Sequence, residues 1–185
     1  VTLLDPGNIK AELKLIGSDY EGIDQIKHQY DLLSECESAK DSVKVYRHIE
    51  EELNEYGMIQ EALDNWKIYD KIRASFALFH EYAVDNIFIP AQYAEIGQID
   101  EAFRLMDEYK ESYQNPWDII PDAGYIALYM TLKDADNVEK HLDQFIHNLE
   151  KTGSQLLLDA MVARGGFKEK LAIVKGDYDL AITLV

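Results

Sequence analysis

The chain has 185 residues, 47% of them apolar and 29% charged, a soluble globular composition long enough to bury a core without covalent staples. Asp and Glu number 35 against 18 Lys and Arg, a formal net charge of −17, so binding to a phosphate backbone or an anionic lipid surface would need a local basic patch. The basic residues are scattered and runs such as Glu50-Glu51-Glu52 carry the opposite sign, which argues against nucleic acid, and no run approaches the roughly 18 apolar residues of a membrane span.

A single Cys36 rules out an internal disulfide framework and fits a reducing, cytoplasmic compartment, although exported proteins without disulfides leave the compartment open. No signal peptide is visible, and the chain opens on Val1 rather than Met, which leaves room for an upstream segment.

In chain order, the first turn signal is "SDYEGI" from Ser18. Val45, Ile49, Leu53 and Tyr56 then fall at helical spacing and lead into "YGMIQEAL", Tyr56 to Leu63, after which Ala62, Trp66 and Tyr69 continue a helical stripe. In "DNIFIPAQYAEIG", Pro90 would kink a helix or start a fresh one. The turn "IGQIDEAF" follows, and then the clearest loop, "YQNPWDIIP" from Tyr113 to Pro121, whose Trp117 reads as a packing residue. A fourth turn, "DNVEKHL" from Asp136, opens a stripe of Val138, Leu142, Phe145, Ile146 and Leu149. Gly165-Gly166 in "MVARGGFKEKL" predicts a bend or break before the last turn, "GDYDLAI". The chain ends at Val185 just after that turn has started a helix, which suggests a piece of a longer protein.

The turns repeat. Ser18 to Gly57 is 39 residues, Gly57 to Gly97 is 40, Gly97 to Asp136 is 39 and Asp136 to Gly176 is 40. Glycine tolerates the left-handed conformation that ends one helix, and the polar residues behind it, such as Asp100 or Asp177, favour the start of the next. On this register Ile59, Ile99, Val138 and Tyr178 plug the gap between two helices, while Ala62, Ala102 and Ala181 let their backbones approach. No sustained alternation demands a strand, so the expected fold is all-α, built of antiparallel helix pairs stacked side by side.

These strings resemble the tetratricopeptide repeat (TPR) family, on Gly57, Ile59, Ala62 and Trp66 in one unit and Gly97, Ile99, Ala102 and Met106 in the next. The resemblance departs at the small residue of the first helix, which falls on Glu50 and Pro90, at His141 where the family has Ala, and in a period of 39–40 rather than 34. It implies a single domain over residues 1–185, a right-handed TPR-like superhelix (α-α superhelix) of 4–5 pairs, with first helices lining a concave peptide-binding face. Candidate groove residues on first-helix segments are Tyr46, Arg47, Glu50, Asn54, Asn86, Gln92, Tyr125 and Tyr129. The family's clamp of Lys and Asn is not recognisable at matching positions, so recognition of a C-terminal carboxylate is not expected.

Catalytic signals are sparse: there is no HExxH, Walker loop, GxSxG or paired CxxC. His48 and Glu52, like Asp143 and His147, stand at i, i+4, as exposed helix pairs do. His141 and His147 lie six apart, about 240° around a helix, and cannot share a metal directly. His80 in "FALFHEY" reads as a packing residue, and Cys36 between Glu35 and Glu37 as inert. The expected function is a protein or peptide interaction scaffold with no catalysis, cofactor or metal. Its acidity favours a basic or neutral partner, held less tightly as salt rises. An accessory or regulatory domain of a larger enzyme or signalling protein is the alternative. Pentatricopeptide-like RNA binding, suggested by Ile120–Asp122, is opposed by charge. The unfinished last half-repeat could also pair copies of the chain.

Overall fold

The computed structural model describes residues 8–75, 85–112, 119–151 and 167–184. Among them the chain is all-helical, with ten α-helices, two 3-10 turns and no strand. It divides into two compact units, Val1–Glu81 and Tyr82–Val185. His80, Trp117 and Gly165-Gly166, singled out in the sequence, lie outside the described residues.

The first unit contains α1 (Ile9–Asp19), α2 (Gly22–Leu32), a 3-10 turn (Leu33–Glu35), α3 (Ala39–Glu55) and α4 (Ile59–Ala74). Asn8 caps α1 by accepting from the Ala11 N–H, and Ser38 caps α3 by accepting from Asp41. The apolar stripes then meet: Ile9 and Leu13 of α1, Ile26 and Leu32 of α2, and Val45, Ile49 and Leu53 of α3 form one core with Ala62 of α4. Trp66 and Tyr69 continue the buried face of α4, as the spacing predicts. Cys36 is half-buried, and burial pushes its thiol up, which keeps it in the unreactive form.

The second unit contains a 3-10 turn (Asp85–Phe88), α5 (Ile89–Glu95), α6 (Ile99–Ser112), α7 (Ile119–Thr131), α8 (Ala135–Lys151), α9 (Phe167–Val174) and α10 (Tyr178–Leu184). Pro90 stands in the first turn of α5, where its missing N–H costs nothing, so it starts a fresh helix. The loop expected to run to Pro121 ends earlier, because α7 begins at Ile119. Within the unit, α5 packs on α6, α7 on α8 and α9 on α10, and α7 also touches α5 and α9. The first helices of the three pairs therefore stand side by side in order.

One joint builds four of these pairs. Gly57, Gly97, Lys133 and Gly176 have φ of 71°, 80°, 58° and 75°. Behind each, the same two hydrogen bonds close the helix, as in Gly57 N–H to the Asn54 carbonyl at 2.9 Å and Met58 N–H to the Leu53 carbonyl at 2.8 Å. The next helix starts two residues later, so one residue ends one helix and its neighbour begins the other. This corrects the sequence register at the third joint, where Lys133 rather than Asp136 takes the left-handed position. The intervals become 40 (57 to 97), 36 (97 to 133) and 43 (133 to 176), not a uniform 39–40.

Val138 thereby moves from the plug position to the site held elsewhere by Ala62, Ala102 and Ala181, and all four are buried. His141 is displaced from that site as well. The plug positions are Ile59, Ile99, Ala135 and Tyr178; the first three are half-buried, while Tyr178 is exposed. The segment from Ser18 does not repeat the joint: Tyr20 ends α1 in extended geometry, and Gly22, with φ of 64°, lies at the start of α2.

Candidate functional site

The second unit carries a cleft of about 500 Å³ lined by α6, α7 and α8. Gly124 leaves α7 close to α6: a Cβ there would meet the Ile87 and Met106 side chains at 3.0 Å, tighter than ordinary contact. Next to it, Tyr125 is buried and donates its hydroxyl to Asp107 of α6 at 3.2 Å. Burial first, and then the Asp107 carboxylate, push the Tyr125 phenol up to about 12.

Asp122 lies in the first turn of α7, where the helix dipole favours a carboxylate, and is only 9% exposed. A charge so buried needs partners, and α8 supplies them. Asn148 Nδ2 donates to Asp122 Oδ2 at 3.1 Å, and His141 Nδ1 lies 3.1 Å from Oδ1. Carboxylate oxygens accept, so this contact places the neutral imidazole's proton on Nδ1. The His141 ring stacks on Tyr125, with centroids 4.6 Å apart and 18° between planes, and Tyr129 joins the stack at 5.5 Å from His141. Lys110 of α6 and Lys140 of α8 stand at the rim, exposed and without an ion pair among the described residues, beside Gln144. The lining thus combines an aromatic floor, a satisfied Asp–His–Asn network and two unneutralised ammonium groups. Among the described lining residues the Tyr125 phenol is the only hydroxyl, it already donates to Asp107, and none is a thiol.

The structure brings Tyr125 and Tyr129 of the sequence candidates together on α7. Tyr46, Arg47, Glu50 and Asn54 share α3 in the first unit. There the Tyr46 carbonyl accepts from Asn65 Nδ2 at 2.6 Å, Arg47 pairs with Glu51 at 3.1 Å, and Asn54 donates to the buried Glu50. Asn86 is buried in the 3-10 turn before α5, and Gln92 is half-buried on α5. Sequence reasoning missed Asp122, His141 and Asn148 as site residues. Their signal is a pair of spacings: Asp122, Tyr125 and Tyr129 on one stripe of α7, and His141 and Asn148 seven apart on α8.

No cluster of three or more His, Cys, Asp or Glu side chains suited to a metal occurs among the described residues. None of the described helices is long and apolar enough to cross a membrane. Comparisons with known protein families, with curated proteins and with solved structures return no match, so function has to be read from the geometry of the clefts.

Proposed function

We propose that the chain is a non-catalytic helical-repeat interaction module of TPR-like, superhelical type, which holds a peptide segment of its partner in the cleft between α6, α7 and α8. The repeated joint supports the architecture: arrays built this way expose long preformed grooves between helices. The observation that carries the binding mode is the cleft itself, with stacked Tyr125 and His141 as floor and, at the rim, Lys110 and Lys140, which have no ion pair among the described residues. Rigid aromatic surface gives contact area at low entropic cost.

The overall charge of −17 favours a basic or neutral partner for the outer surface. Among the described lining residues of the cleft the two exposed ammonium groups outnumber the single carboxylate, Asp122, whose oxygens are taken up by His141 and Asn148. The segment that enters the cleft is therefore acidic or polar, and a basic side chain is turned away.

Fluorescence anisotropy tests this with a labelled alanine-based peptide carrying a central glutamate, and with its glutamine and lysine counterparts. Affinity should run glutamate, glutamine, lysine, should fall as salt rises, and should collapse in a Lys110→Glu/Lys140→Glu variant. A preference for the lysine peptide, or equal affinity in the double variant, would overturn the reading.

A further inference from the structure

A second cleft, of about 730 Å³, lies wholly in the first unit among α1, α2 and α3. Its rim is exposed: Lys10, Lys14, Leu15 and Ser18 of α1, with His48 of α3 opposite. Its lining also includes Gln29 of α2, which is 2% exposed and whose Oε1 has no hydrogen-bond partner. Neighbouring polar groups are committed elsewhere, since Gln25 donates to Glu52 and Asn8 caps α1. A buried amide oxygen left without a partner is costly, and proteins keep such groups where water or a ligand completes them.

We infer that this cleft binds a primary carboxamide, the side chain of an asparagine or glutamine carried on a peptide, paired with the Gln29 amide. An amide presents one acceptor and one donor side by side, and the group that satisfies both at once is another amide. The match holds whichever way the Gln29 amide is turned. Other side chains fit less well. A carboxylate has no proton for the buried Oε1, and a lysine or arginine head would approach Lys10 and Lys14, neither of which has an ion pair among the described residues. Gln29 lines the cleft at only 2% exposure, so the group that pairs with it has to be a slim side chain, with the backbone that bears it left at the rim. The Leu13 and Ala11 side chains and the lysine stems supply apolar walls for the methylene groups. This site is independent of the α6–α8 cleft and does not require that reading to hold.

The test is nuclear magnetic resonance on the full chain titrated with propionamide, propionate and butanone, followed by alanine-based peptides with a central glutamine or methionine. Propionamide alone should shift the Gln29 side-chain amide resonances saturably. The glutamine peptide should bind about tenfold more tightly than the methionine peptide, and that preference should vanish in Gln29→Met. Equal responses to the three small probes, or a preference that survives Gln29→Met, would overturn the inference. So would a Gln29→Met protein that melts higher while wild type discriminates neither probes nor peptides, since water alone would then satisfy the amide. The comparison of probes on the wild-type chain decides the matter even if the variant folds poorly.

Discussion

Lys133 is a residue whose removal should help. It holds φ of 58° at a joint where Gly57, Gly97 and Gly176 hold 71°, 80° and 75°. A side chain in the left-handed region costs about 1–2 kcal/mol. Replacement by glycine removes that strain but loosens the unfolded chain, which gives back about 0.4–1 kcal/mol. The Lys133 side chain is exposed, so its loss removes no packing, and Lys133→Gly should stabilise by about 1 kcal/mol net. The reverse change, Gly97→Ala, should cost a similar amount by strain alone, because nothing lies within 4 Å of an added Cβ. For a chain of this length about 1 kcal/mol is about 2–4 °C in Tm, measurable by calorimetry or by circular dichroism with urea as a second axis. Lys133→Ala serves as the control: it deletes the lysine and keeps the strain, so it should gain nothing. If Lys133→Gly proves no more stable than Lys133→Ala, the shared joint is not what the backbone angles indicate.

Three further outcomes follow from the same geometry. Gly124→Ala should fail to gain the roughly 1 kcal/mol that alanine ordinarily adds in a helix interior, because the added methyl meets Ile87 and Met106 at 3.0 Å; thermal melts would read it. The Tyr125 phenol is raised from 10.0 to about 12, so the folded state holds a proton that the unfolded chain releases first; the resulting stability is complete below about pH 10 and is lost as pH rises towards 12. Tyr125→Phe should flatten that alkaline limb, followed by urea melts and tyrosinate absorbance. Burial, and after it Glu55, raise the Glu52 carboxyl above its ordinary 4.5, so its stability contribution is full below that pH and declines above it. Glu52→Gln should therefore raise Tm near neutrality and leave it unchanged in acid.

The glycine joints were legible because glycine is the residue that enters the left-handed region without strain, and Gly57, Gly97 and Gly176 each stand two residues before a helix. The third joint was not, because a lysine occupies it. Asp136 took its place in the reading since a polar residue two before an apolar Val138 imitates the pattern, three residues out of register. The true cue is Asp134, which accepts from the Asn137 N–H at 3.2 Å, as Asp177 accepts from Leu180 at 3.1 Å. Tyr125 and Tyr129 could be placed from helical spacing. The Asp122–His141 contact joins residues 19 apart on two helices, so it depends on how α7 and α8 pack and on no local spacing. Gln29 carries no mark in the sequence at all; only its burial without a partner distinguishes it.

The proposed function is tested most directly by mapping, residue by residue, where the central-glutamate peptide lands on the isotope-labelled chain. The expected result is saturable resonance shifts at Tyr125, His141, Gln144 and the Lys110 and Lys140 side chains, which converge on one cleft and weaken together as salt rises. Shifts scattered over the surface, or none at these residues while the peptide binds elsewhere, would contradict it.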